Sequence, residues 1–313
     1  PNLMAHLKIP IHRELVYEPS PSASNIHVNV NRLKQNTFTM MIELTDLAVL
    51  TETYATEFLA AETGLSKSKI KTTMTRGAVW LTSGSSRKRL RRAKAKLAPG
   101  DLVSIYYSPE VMETVPASPI LVDDQSAFSV WEKPVGLMSG GSRFGDHCSI
   151  NRVVEQQLDR PTFLVHRLDR YVWGLMVLAH SKSAATHLSG QFQDRKTTKI
   201  YHAIVHGKLA DERVINTPID NKIASSTVKP INFDADTSLI EVRIETGRKH
   251  QIRQHLASID HPVVGDRQYG SKDMQGIQLA AVELGFESPV DQSWQHYTLA
   301  DQKRPAFRPQ EAK

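Results

Sequence analysis

From Lys199 to His206 the chain alternates so regularly that it reads as one strand with two unlike faces. Tyr201, Ala203 and Val205 share one face, while Ile200, His202, Ile204 and His206 share the other. Tyr201 therefore projects among small apolar neighbours and is placed to sit over a pocket. Around this strand, from about 126 to 300, strand-like and helix-like segments alternate irregularly. Phe128 to Lys133 reads as a strand and Gly174 to Ala179 as a buried one. Ala184, Ala185, Leu188 and Phe192 form one helical face behind Ser181. No period of about 20 to 50 residues repeats, which argues against a solenoid or propeller.

A length of 313 residues suits two or three domains with a sizeable core. No apolar run approaches the roughly 20 residues of a membrane helix, so the chain is read as soluble. A single cysteine, Cys148, excludes an internal disulfide and the thiolate clusters of most structural zinc sites. That usage fits a cytoplasmic home, and no secretory leader is read near the N-terminus.

The net charge of +6 is unevenly placed. Between Lys67 and Lys96 stand eleven Lys or Arg and no Asp or Glu, whereas the remainder carries 28 basic against 33 acidic residues, or −5. Such a block suits counterion release from a phosphate backbone and points to nucleic acid. A solvated basic helix is the plainer alternative. Around the block, Phe58, Leu59, Leu65, Ile70 and Met74 fall into two short helices separated by Gly64, with Ser66 placed to cap the second. Gly77 to Leu81 then reads as a strand, a basic loop or helix runs to Lys96, and Leu102 to Tyr107 is another strand.

The segment from Gly64 to Val79, with Leu97 to Asp101 after it, resembles the S-four-type RNA-binding domain. That resemblance implies RNA contacts from Lys67, Lys69, Lys71, Arg76, Arg87, Lys88, Arg89, Arg91 and Arg92. The division expected is a 1–50 extension of unclear role, a 51–108 RNA-binding domain, a 109–125 linker, a 126–300 catalytic domain and a 301–313 tail.

Chemistry is concentrated at His166-Arg167-Leu168-Asp169, where a carboxylate follows two basic side chains and the apolar run Phe163 to Val165. An Asp with an arginine within a few ångströms is held ionised, ready as a nucleophile or electrostatic partner. The bland reading is a turn cap with a solvated arginine. Arg253, three residues after His250 in a helix expected over 249–258, lies off the Ile252, Leu256, Ile259 face and could pair with that carboxylate. Arg167 is the competing partner.

Taken together, His166 to Asp169 with Gly174-Leu175, Lys199-Ile200-Tyr201, Thr246 to Leu256 continuing through His261 to Gly270, and Lys133 to Leu137 resemble the motifs of the RluA-like pseudouridine synthases. The resemblance spans about 125 to 290, in the family's order. It implies an α+β catalytic domain on a mixed, mainly antiparallel sheet, preceded by the small α/β RNA-binding domain. It implies isomerisation of uridine in ribosomal or transfer RNA, with Asp169, Tyr201 and Arg253 as catalytic residues and Arg167 filling the space of a flipped-out base. Leu279 lines the pocket by the same resemblance. No cofactor or metal is expected, and the chain is read as a monomer. Two departures stand out: Val172-Trp173 replaces the usual Thr-Ser, and Glu287-Ser288-Pro289 stands where His-Pro is common.

Breaking the bond between N1 and the ribose calls for an ionised carboxylate near the anomeric carbon, and Tyr201 offers both a flat face and a phenol. Rival chemistries lack their signatures. His250 and His255 are five apart with no His-Glu-x-x-His, no Gly-x-Ser-x-Gly occurs, and Gly136, Gly140, Gly141 and Gly145 spell no phosphate loop. The serious alternative is an RNA-binding protein of the same fold without catalytic activity.

Overall fold

The computed structural model describes residues 41–270 and 276–307. The expectations for 1–40 and 308–313 lie outside these residues. In chain order the first elements are β1 (Ile42–Ala48), β2 (Thr53–Tyr54), α1 (Ala55–Thr63), α2 (Lys67–Thr75), β3 (Val79–Ser83), β4 (Ser86–Arg89), β5 (Lys96–Leu97), β6 (Leu102–Tyr107) and α3 (Pro109–Glu113). Four of the strands form an antiparallel sheet in the order β1-β6-β3-β4, while β2 pairs with β5. Helices α1 and α2 are separated by Gly64 in the left-handed conformation, and the Ser66 hydroxyl accepts the Lys69 amide at 3.3 Å. Leu59, Ile70 and Met74 from those helices pack on Val79, Val103 and Ile105 of the sheet.

Three sequence expectations change here. The basic stretch expected as a loop or helix contains a strand, because Gly84, with φ +57°, closes a tight turn that pairs Ser83 with Ser86. The 1–50 segment does not end outside the first sheet: β1 is its edge strand, paired with β6. The 109–125 linker begins with α3 and ends in a strand of the second sheet.

The second set of elements is β7 (Ile120–Asp124), β8 (Phe128–Lys133), α4 (Ile150–Leu158), β9 (Phe163–Leu164), β10 (Trp173–Ala179), α5 (Lys182–Gln193), β11 (Thr198–His206), β12 (Arg213–Ile215), β13 (Ser226–Phe233), β14 (Thr237–Ile244), α6 (Gln251–Ala257), β15 (Leu279–Glu287) and β16 (Trp294–Thr298). Their sheet runs β12-β13-β14-β11-β15-β10-β8-β7, with β16 added to β15 and β9 to β10. Every pairing is antiparallel except β10 with β15. The architecture is α+β.

Both faces of the central strands are buried, and alternate residues supply two cores. Met176, Leu178, Tyr201, Ala203, Leu279 and Ala281 meet Ile150 and Val154 of α4 and Ile252 and Leu256 of α6 on one side. Leu175, Val177, Ala280, Val282 and Leu284 meet Ala184 and Leu188 of α5 on the other. Each large apolar side chain so enclosed contributes roughly 1.5–3 kcal/mol relative to exposure. Gly174 is required where β10 meets β15: a Cβ there would stand 2.2 Å from the Ala281 carbonyl oxygen. The helix expected over 249–258 is shorter, since His250 takes the left-handed conformation, φ +54°, and α6 starts after it. Among the described residues no helix is long and apolar enough to cross a membrane.

Candidate active site

A cavity of about 590 Å³ opens on the α6 side of the large sheet. Asp169, Tyr201, Arg253, Arg167 and Leu279, all anticipated from the sequence, line it together. Asp169 lies on the loop between β9 and β10, and that loop is pinned from below. The Ser139 hydroxyl donates to the Leu168 carbonyl at 2.6 Å and accepts the Leu168 amide at 2.9 Å. Lys133, only 1% exposed, donates its ammonium to the carbonyls of Pro134, Leu137 and Arg170 at 3.0, 2.8 and 3.3 Å. Burial pulls the Lys133 ammonium down to about 7, with Asp169 opposing the shift. Neither supporting residue was assigned a role from the sequence. The signal for Lys133 was its place in the Lys-Pro-x-Gly segment; a lone serine such as Ser139 carries none.

Arg253 reaches Asp169 from α6, Nη1 to Oδ2, at 3.3 Å. Its other face is held by Asp266, with Nε to Oδ2 at 2.6 Å and Nη2 to Oδ1 at 2.9 Å. Asp266 was inside a quoted motif but carried no role. Burial opposes its ionisation, yet the Arg253 bonds and the amides of Gln268 and Tyr269 hold it below the usual carboxylate range. Burial likewise opposes the Arg253 charge, and the two carboxylates more than restore it. On the opposite side of Asp169, His250 Nε2 stands 3.8 Å from Oδ1, and His250 Nδ1 lies 3.0 Å from the Tyr269 hydroxyl.

Tyr201 is 8% exposed, and burial followed by the Asp169 charge drives its phenol pKa upward. Both influences favour the neutral phenol. His166 also departs from its description as a basic group. Its ring stacks on Phe192 at 4.4 Å and its Nε2 accepts the Val177 amide at 3.0 Å. Burial, reinforced by Lys199, takes it down to about 3, so His166 is neutral and fixes the strand after the active loop. Arg167 is exposed at the cavity and makes no ion pair with Asp169; Arg253 fills that place.

Known proteins align with this arrangement. Residues 127–258 match the family model described as RNA pseudouridylate synthase. An uncharacterized RNA pseudouridine synthase of Aquifex aeolicus is 32% identical over 291 residues, covering 78% of this chain and 89% of the relative. The dual-specificity RNA pseudouridine synthase RluA of Vibrio vulnificus is 33% identical over 203 residues, 56% of this chain and 80% of the relative. The chain belongs to the RluA-like RNA pseudouridine synthase family. It is an isomerase of that family, converting uridine to pseudouridine in RNA. The solved structure titled Human RNA Pseudouridylate Synthase Domain Containing 1, 20% identical, shares the fold with a TM-score of 0.50 over 60% of this chain and 86% of that one.

The departure at Val172-Trp173 divides between two tasks in this pseudouridine synthase. Val172, 3% exposed, forms part of the cavity wall. Trp173 points away, its indole N–H donating to the Lys303 carbonyl at 2.9 Å and tying β10 to the turn at 301–303.

The basic segment is less uniform than its charge implied. Lys69, Lys71, Lys88 and Arg92 are exposed, and Lys67 is exposed but paired with Glu57 at 2.6 Å. Arg87 lies over Trp80 and donates to the Tyr106 hydroxyl at 3.4 Å. Three of the nine expected RNA contacts turn inward instead. Arg89 pairs with Asp146 at 3.2 Å and donates to the Gly77 and Ser142 carbonyls. Arg91 pairs with the same Asp146, and Arg76 binds the Met112 and Thr114 carbonyls beside His147. These groups join the first sheet to the 141–147 loop because buried carbonyls and a carboxylate there need donors.

Proposed function

We propose that the chain isomerises specific uridines of ribosomal or transfer RNA, with Asp169 as nucleophile. The observation that carries this reading is the convergence of Asp169, Tyr201 and Arg253, from three distant segments, on one cavity with Arg253 gripping the carboxylate. In the proposed sequence a carboxylate oxygen attacks C1′ as the C1′–N1 bond breaks, and uracil leaves as an anion. The uracil turns against the Tyr201 ring, C5 bonds to C1′, and the carboxylate departs. Loss of the C5 proton and gain of one at N1 complete the isomerisation without net change in atoms. Arg253 stabilises the carboxylate before attack and after release, and Tyr201 serves as the wall of the base site with its phenol proton retained.

A uridine in a helix must leave the stack at a cost of a few kcal/mol. Arg167, exposed at the cavity rim, is the side chain we assign to the vacated space. The first sheet with its two helices is read as the S-four-like RNA-binding domain, and among the nine expected contacts Lys69, Lys71, Lys88 and Arg92 are its free cations. The enzyme is read as a cytoplasmic monomer.

The test is tritium release from RNA carrying 5-tritiated uridine, with RNA from cells lacking the gene as substrate. Release by the parent protein, with new pseudouridines mapped by chemically induced reverse-transcription stops, is the expected result. No release from any cellular RNA favours the binding-only alternative.

A further inference from the structure

The cavity holds more positive charge than the proposed chemistry uses. Its lining includes five arginines or lysines, Arg167, Arg195, Lys199, Arg248 and Arg253, against one carboxylate, Asp169. Arg253 is committed to Asp169 and Asp266, and Arg167 has a role in the reading above. The remaining three, Arg195, Lys199 and Arg248, also line the cavity, and Arg195 lies close enough to Lys199 to disfavour its charge.

Lys199 is the unusual member. It is 9% exposed, yet its ammonium makes one long bond, 3.3 Å, to the Glu245 carbonyl. The Phe192 ring lies 6.0 Å away. A buried ammonium offers three donors and is costly to leave underused. Arg195 is exposed and makes no hydrogen bond or ion pair among the described residues, while Arg248 donates Nε to the Ile223 carbonyl at 2.9 Å. Burial and the neighbouring Arg195 both disfavour the Lys199 charge, and only Glu245 offsets them. Three cations lining one cavity, with Glu245 offsetting only Lys199, leave an excess of positive charge that suits an anion.

We propose that Lys199, Arg195 and Arg248 bind a backbone phosphate of the RNA next to the target uridine. The inference rests on the uridine-isomerase reading and adds the point at which the strand is gripped. Lys199 and Tyr201 lie on the same face of β11, two residues apart, which puts their Cα atoms about 6.6 Å from each other. A base against Tyr201 therefore carries its own sugar-phosphate backbone toward Lys199. A phosphate fits the remaining features: it accepts from an ammonium and from two guanidinium groups at once, and it relieves their mutual repulsion. The other acceptor within reach is a uracil carbonyl, which would draw on Lys199 but give Arg195 no task.

The probe is a fluorescein-labelled oligouridylate, titrated by anisotropy against the full-length protein over a series of KCl concentrations. Lys199→Met and Arg195→Gln are each expected to weaken binding about tenfold at low salt and to reduce the slope of log Kd against log [KCl] by about 0.7 per lost contact. Lys199→Arg is expected to restore both. Should Lys199→Met fail to fold by circular dichroism, the exposed Arg195→Gln decides alone. Slopes and affinities equal to the parent's overturn the proposal. So does a Lys199→Met protein that binds normally but releases tritium slowly, since that places the ammonium on the base, and so does a parent protein that does not bind oligouridylate. The isomerase reading fails separately, through tritium release that survives Asp169→Asn.

Discussion

The cleft around Asp169 and the arginine-rich hairpin of the first sheet both join guanidinium groups to carboxylates, with opposite consequences. In the cleft one arginine, Arg253, is shared by two carboxylates, and the outer one, Asp169, keeps 30% of its side chain exposed to the cavity. In the hairpin two arginines, Arg89 and Arg91, converge on the single carboxylate of Asp146, which is 11% exposed. The first arrangement leaves a carboxylate open to the cavity. The second closes its charges off and joins two parts of the protein. Identical chemical groups thus form an open cavity wall or a fastening according to which partner is in excess and which one sees solvent.

The largest effect is expected at the buried end of the cleft. Asp266→Asn removes the bidentate acceptor of Arg253 and leaves a half-buried guanidinium with too few partners. Loss of about 3 kcal/mol of unfolding free energy is expected, together with a large fall in activity, measured by urea denaturation and tritium release. Stability within about 0.5 kcal/mol of the parent would show that Arg253 needs no anchor. Next comes Asp146→Ala, which strands two arginines at the other site. A loss of about 2 kcal/mol is expected, with faster proteolysis between the two sheets and little change in the affinity for RNA.

Protonation provides a graded test in the cleft. His166 titrates at about 3 in the folded protein, below its unfolded value of 6.5. Between these values the unfolded chain binds the proton and the folded one does not, so stability is complete above about pH 6.5 and falls as pH drops toward 3. The slope is at most about 1.4 kcal/mol per pH unit, and His166→Gln should flatten it in melts from pH 7 to 4. The smallest effect on stability is expected at the free cations. Lys88→Glu with Arg92→Glu should leave the melting temperature unchanged and weaken RNA binding with a flatter salt dependence, whereas charge reversal at Arg89 or Arg91 should unfold the hairpin first.

The contrast also explains what could be read from the sequence. Asp169, Tyr201 and Arg253 were legible because each lies in a segment whose local pattern fixes its direction: an apolar run ending in a loop, an alternating strand and a helix face. Their supports were not. Asp266 binds Arg253 across a turn it also caps, accepting the Gln268 and Tyr269 amides, and nothing local separates that from an ordinary Asx turn. Ser139 and Lys133 act on backbone carbonyls, which any sequence supplies. In the basic segment the charge count was correct but its direction was hidden, since Asp146, which draws Arg89 and Arg91 inward, is more than 50 residues away in the chain. The hairpin itself had a visible signal in Ser83-Gly84, masked by the surrounding lysines and arginines.

The most direct measurement is single-turnover tritium release by Asp169→Asn, on an RNA the parent protein modifies, with the melting temperature recorded in parallel. The amide is nearly isosteric and keeps an oxygen for Arg253, so the fold should persist. A nucleophilic Asp169 predicts a fall of at least about 10⁴-fold in rate, roughly 5 kcal/mol in the barrier. Release at more than a tenth of the parent rate, from a protein that melts normally, would contradict it.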